Sequence, residues 1–277
     1  MTVLVLSLCS AIAYGLSDFT GGILTRRASA WAVAATSQAA ATVLALSLLA
    51  VTEGEPDVTA LLWGALAGIG SGAGNVLIYR GLAIGRMTVV APLSAIAAAT
   101  LPVLVGLASG ERPGALPILG VTAALPAIWL VSGSSSGLSG ARRADLINGL
   151  LAGLGFGLQF SALGQVPEQA GLAPLAVSQV VSVAAIVIGA HLLSAPWIPR
   201  DRFSRLGVVA GLFAGIATIC FQFAAQSGML TITAVVTSLY PAATVLLAAL
   251  VLRERVGQTQ GIGLALAAVA VALIASG

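Results

Sequence analysis

Polar side chains recur at helical spacing inside stretches of this chain that are otherwise apolar. Ser7, Ser10, Tyr14, Ser17 and Gly21 fall on one stripe, flanked by Asp18 four residues after Tyr14. Gly64, Gly68, Gly72, Asn75 and Tyr79 share a second face, and Gly211, Gly215, Thr218 and Gln222 a third. Glycines four residues apart let two helices approach closely, and the polar groups beyond them then point into the bundle. Gln38, Ser94, Gln159, Phe160, Gln179, Thr237, Tyr240 and Thr244 are further inward candidates, with Thr237, Tyr240 and Thr244 on one face beside Pro241. Hydroxyls, amides and phenols of this kind can hold a small polar solute by hydrogen bonds. The plainer alternative for each is a bond to a neighbouring helix with no solute contact.

Asp18 is the one acidic residue well inside an apolar stretch. A carboxylate there must be paired, protonated or hydrated. It could couple protons or hold a substrate amine; a structural ion pair with Arg80 is the reading favoured from sequence. His191 sits near the end of an apolar stretch and reads as an interfacial residue rather than a proton relay. Cys9 and Cys220 have no Cys or His near them, so packing is expected rather than a disulfide or zinc site. No metal or other cofactor is expected, and nothing points to catalysis.

The elements that must carry these residues follow from composition. Of 277 residues, 58% are hydrophobic and 8% charged, against roughly 25% charged in a soluble protein. Such a surface suits lipid, and a spanning helix takes about 20 residues. Ten spans are predicted, at about 2–24, 31–52, 60–80, 87–109, 114–133, 146–165, 172–194, 205–226, 230–252 and 258–276. The first reads as a retained helix rather than a cleaved signal. Loops of three to ten residues make consecutive helices antiparallel neighbours. The polar stretch 133–144 reads as a linker.

All twelve basic residues are arginines, and none forms the run or stripe of a nucleic-acid surface. With alternating spans, eleven arginines fall on one side of the membrane and only Arg112 on the other. Positively charged short loops stay inside, so the arginine-rich side is expected to be cytoplasmic and both termini outside, in the plasma (inner) membrane of a prokaryote. Trp31, Trp63, Trp129 and Trp197 all lie near predicted helix ends, where indoles favour the interface.

A shift of 143 residues superimposes Gly68 on Gly211, Gly72 on Gly215, Gly85 on Gly228, Thr88 on Thr231, Gly120 on Gly263 and Glu111-Arg112 on Glu254-Arg255. At slightly smaller offsets Ser37-Gln38 meets Ser178-Gln179, and Tyr14-Gly15 lies near Phe156-Gly157. Two halves, 1–137 and 138–277, are therefore expected. An odd number of spans in each inverts the second half relative to the first, an arrangement of many secondary transporters with a midplane site between the repeats.

Ten spans in two five-helix halves, each with a Glu closing its fourth span, resemble the EamA group of the drug/metabolite transporter superfamily. The resemblance rests on 14–19 (Tyr-Gly-Leu-Ser-Asp-Phe), 85–92 (Gly-Arg-Met-Thr-Val-Val-Ala-Pro) through 110–113 (Gly-Glu-Arg-Pro), and 238–241 (Ser-Leu-Tyr-Pro) through 252–255 (Leu-Arg-Glu-Arg). It covers nearly the whole chain. It implies a transporter, mostly an exporter of amino acids or other small metabolites, with a cavity between the halves. One departure is Ala98, which stands where the second half has Pro241, so the two kinks are expected to differ.

The expected protein is thus an all-α integral membrane protein of ten helices in two inverted repeats around a central cavity. Its expected partners are membrane lipid and a small neutral or zwitterionic metabolite, such as an amino acid, moved by alternating access with possible proton coupling. The expected substrate-binding residues are Tyr14, Asp18, Gln38, Asn75, Tyr79, Ser94, Gln159, Phe160, Gln179, Gln222, Thr237 and Tyr240. An intramembrane enzyme or a passive channel is the alternative. The enzyme would need converging ionisable groups, and only Asp18 and His191 are at hand.

Overall fold

The computed structural model describes residues 1–84, 87–131, 143–251 and 257–276, and among these the regular structure is helical. The helices are α1 (Thr2–Thr25), α2 (Ala30–Leu49), α3 (Val58–Ile84), α4 (Met87–Ala108), α5 (Ala115–Val131), α6 (Arg143–Leu163), α7 (Ala173–Leu192), the short α8 (Arg202–Arg205), α9 (Gly207–Ser227), α10 (Leu230–Thr237), α11 (Tyr240–Val251) and α12 (Gln258–Ala275). Among the described residues, eight segments are long and apolar enough to cross a bilayer, one running through α8 and α9 and one through α10 and α11. The apolar stretches Leu93–Ala108 and Ala115–Val131 are shorter. The expected linker lies largely outside the described residues, as do Gly85, Arg86 and 252–256 with Glu254 and Arg255.

The burial pattern reverses that of a water-soluble protein. Val43, Ile69, Leu104, Leu154, Ile188 and Leu250 stand exposed on the outer faces, while Ser10, Gln38, Ser94, Gln159, Gln179, Thr218 and Gln222 are buried. Lipid solvates the outer side chains, and the polar groups turn inward because hydrocarbon offers them no partners.

Small residues set the interhelical distances. Gly64, Gly68 and Gly72 of α3 lie on Pro174, Ser178 and Ser182 of α7, and Gly207, Gly211 and Gly215 of α9 lie on Val33, Ser37 and Ala41 of α2. A Cβ added at Gly72 would come within 2.9 Å of the Ser182 carbonyl oxygen, and Gly64, Gly68 and Gly211 are tighter still, whereas one at Gly207 or Gly215 would meet its neighbours at 3.0 Å. Gly15 of α1 packs on Tyr240 of α11, and Gly157 of α6 on Ala97 of α4.

The two proline sites behave differently. Pro241 has no N–H to offer the carbonyl four residues back, and the chain breaks between α10, ending at Thr237, and α11, starting at Tyr240. Helix α4, with Ala98 at the matching place, runs unbroken from Met87 to Ala108. The expected difference between the kinks is present.

Among the described residues three carboxylates cap helices, and Asp57 accepts from the Ala60 N–H at 2.7 Å at the start of α3. Glu111 accepts from the N–H of Leu230 at 2.6 Å and of Thr231 at 2.9 Å, fastening the loop after α4 to the start of α10. Asp201 accepts from the N–H of Phe203 and Ser204 at the start of α8. Hydrogen bonds to the charged form, chiefly from Ser204, hold the Asp201 carboxyl below its ordinary range.

Candidate substrate cavity

A cavity opens where α1, α2, α3, α6, α7, α9 and α11 converge. From α1 come Tyr14, Ser17 and Asp18, placed on one face by the 3.6-residue turn. Helices α2 and α7 contribute Gln38 and Gln179, and α3 contributes Ser71 and Asn75. Phe156, Gln159 and Phe160 come from α6, Thr218 from α9 and Tyr240 from the first turn of α11.

One wall is a line of amides. Gln38 Nε2 donates to Gln179 Oε1, and Asn75 Nδ2 donates to Gln38 Oε1 at 3.2 Å and to the Ser71 carbonyl at 2.9 Å. The other wall is aromatic. The Tyr14 ring centroid lies 5.8 Å from Phe160 and 6.3 Å from Tyr240, and Phe160 stacks on Phe221 at 4.4 Å. The Tyr14 hydroxyl meets Thr218 Oγ1 at 2.9 Å, and Ser10 Oγ donates to the Ala217 carbonyl, so α1 is tied to α9. The cavity volume is about 20 Å³, room for about one water molecule. Admitting a metabolite therefore requires the helices to part.

Eight of the twelve expected residues line this cavity: Tyr14, Asp18, Gln38, Asn75, Gln159, Phe160, Gln179 and Tyr240. Four do not. Tyr79 is buried with its ring against Gly21, filling the α1–α3 contact. Gln222 is buried and donates to the Gly171 carbonyl at 3.0 Å, bracing the loop before α7. Ser94 and Thr237 are fully buried in the packing around α4 and α10, with hydroxyls that find no hydrogen-bond partner among the described residues. Helical register predicted the inward face for all four, but inward also means against another helix.

The expected Asp18–Arg80 pair is corrected. Asp18 makes no ion pair and no hydrogen bond among the described residues, although it stands within electrostatic reach of the hydroxyls of Tyr14, Tyr79 and Tyr240. Tyr79 is the reason. It occupies the face of α3 turned to α1, and one residue on, about 100° around the helix, Arg80 is exposed.

Four polar or aromatic lining residues were left off the expected set: Ser17, Ser71, Phe156 and Thr218. A signal existed for each. Ser71 and Phe156 precede Asn75 and Phe160 by four residues, Thr218 is the repeat partner of Asn75, and Ser17 belongs to the stripe of Tyr14.

Residues 143–276 match the EamA-like transporter family. The match covers the second half of the chain. With eight candidate spans among the described residues, the chain is a multi-pass membrane protein whose residues 143–276 are similar to that transporter family. The EamA family is one of transporters rather than enzymes. No curated protein matches the chain. A crystal structure of a protein, 16% identical, superposes with a TM-score of 0.74 over 98% of this chain and 95% of its own. At that identity the likeness speaks for the fold alone, which the two chains share over both halves.

Proposed function

We propose that this EamA-type chain is a secondary transporter that exports a small organic metabolite by alternating access, built as two inverted five-helix repeats, 1–137 and 138–277, in a prokaryotic plasma membrane. One observation carries the reading. Gly64, Gly68 and Gly72 on Pro174, Ser178 and Ser182 repeat as Gly207, Gly211 and Gly215 on Val33, Ser37 and Ala41. The glycines are offset by 143 residues and their partners by 141, so α3 meets α7 as α9 meets α2. Reciprocal interfaces of this kind allow two states related by a pseudo-two-fold axis and close in energy, which is what alternating access needs. Counted with the two shorter apolar helices, and with α8–α9 and α10–α11 each taken as one span, the helices number ten.

The cavity with its amide wall is the substrate site in this reading. Its lining suits a solute without net negative charge, a class that includes the neutral and zwitterionic metabolites expected from sequence. Purified protein in liposomes should give saturable uptake and counterflow of a labelled metabolite that emerges unchanged. Flux linear in concentration without counterflow would mean a channel, and chemical alteration of the solute an enzyme.

A further inference from the structure

We propose that the cavity selects a small organic cation, an amine or quaternary ammonium, in preference to the corresponding zwitterion, with Asp18 as its counter-ion. The inference rests on the transport reading and narrows it. Asp18 is a cavity-lining carboxylate with no ion pair and no hydrogen-bond donor among the described residues. Asp18 is half-buried, and a carboxylate partly withdrawn from water costs free energy until a counter-charge or donors reach it. The described lining contains no Arg, Lys or His to supply that charge from within. A counter-charge for it can therefore come only with a solute, and the remaining lining fits a cation. Tyr14, Phe160 and Tyr240 gather three aromatic rings at the same place, and ring faces attract ammonium groups. Gln38 Oε1 accepts from Asn75 and Gln179 Oε1 from Gln38, and the second lone pair of each amide oxygen of this cavity-lining pair can accept from an ammonium N–H.

The same inventory disfavours a carboxylate on the solute. It would enter beside Asp18 with no fixed cation to receive it, and like charges in a poorly screened site repel. At the helix break Pro241 has no N–H, and the N–H groups of Leu239 and Ala242 already donate to the Val236 and Leu239 carbonyls.

The test uses the full chain in detergent and in liposomes, with matched solutes that differ only in the carboxylate: tyramine against tyrosine, phenethylamine against phenylalanine, and ethanolamine against serine, with choline as the quaternary probe. The amines should bind about tenfold tighter or better than their amino acids and should drive counterflow of one another. Asp18→Asn should lose the same factor for the amines, and Asp18→Glu should recover part of it. Equal affinity within the matched pairs, or amine binding untouched in Asp18→Asn, would overturn the cation inference while saturable counterflow leaves the carrier reading standing. Absence of saturable binding and counterflow for every solute would overturn both. The matched-pair comparison on the unsubstituted protein does not depend on any variant folding.

Discussion

Asp18 and Glu111 are two carboxylates with opposite standing. Glu111 has two backbone donors and fastens the loop after α4 to the first turn of α10. Asp18 has none, and it faces the cavity. Removing them should therefore act in opposite directions on stability. Glu111→Ala should lower the thermal unfolding midpoint in detergent, by the equivalent of about 0.5–2 kcal/mol for a lost helix cap, while Glu53→Ala, on an exposed loop, should leave it unchanged. An unchanged midpoint in Glu111→Ala would remove the cap from any energetic account. Asp18→Asn should unfold at or above the parent midpoint, because the amide needs no counter-charge. Arg80→Gln should be silent in the same assay. If both single variants unfolded lower and the double variant recovered, the Asp18–Arg80 pair would have to be reinstated.

At the scale of elements, glycine spacing decides which helices touch. Gly68 and Gly211 are matched positions whose neighbours are the backbones of Ser178 and Ser37, so neither contact can yield by turning a side chain. Gly68→Leu and Gly211→Leu should each cost about 1–3 kcal/mol or more and cut the yield of folded protein to a similar extent. Gly261 is the control. A Cβ there meets nothing within 4 Å, so Gly261→Ala should raise the midpoint slightly, by about 0.4–1 kcal/mol through the unfolded chain. A severe loss in Gly261→Ala, or a mild one in either leucine variant, would contradict the packing described. The interrupted α10–α11 pair sits next to the cavity through Tyr240, whereas α4 is continuous. The two halves are thus unequal where a moving element would matter most.

For the whole molecule, the open question that loop charge can answer is orientation. Eleven arginines against one predict a cytoplasmic arginine-rich side and both termini outside. A reporter fused after Gly277 should therefore behave as periplasmic. Cytoplasmic reporter activity would reverse the orientation or change the parity of the spans, and with it the inverted repeat.

Membrane residence was legible in the chain itself, because a composition so poor in charge leaves no polar surface for water to wet. Helix positions were legible from the lengths of the apolar runs, and close contacts from glycines four residues apart. The interior placement of Tyr14, Gln38, Asn75, Gln159 and Gln179 was also readable, since helical register gathers polar residues on one face. Register could not say what that face meets. Tyr79 and Gln222 lie on inward faces yet pack against Gly21 and Gly171, and Ser94 and Thr237 are buried in the helix packing instead of the cavity. Only the tertiary structure decided that Asp18 lacks the partner that sequence proximity offered. Depth along a helix can be read from residue number, but the rotation that turns Tyr79 toward α1 and Arg80 outward is set by which neighbouring helix supplies the glycine.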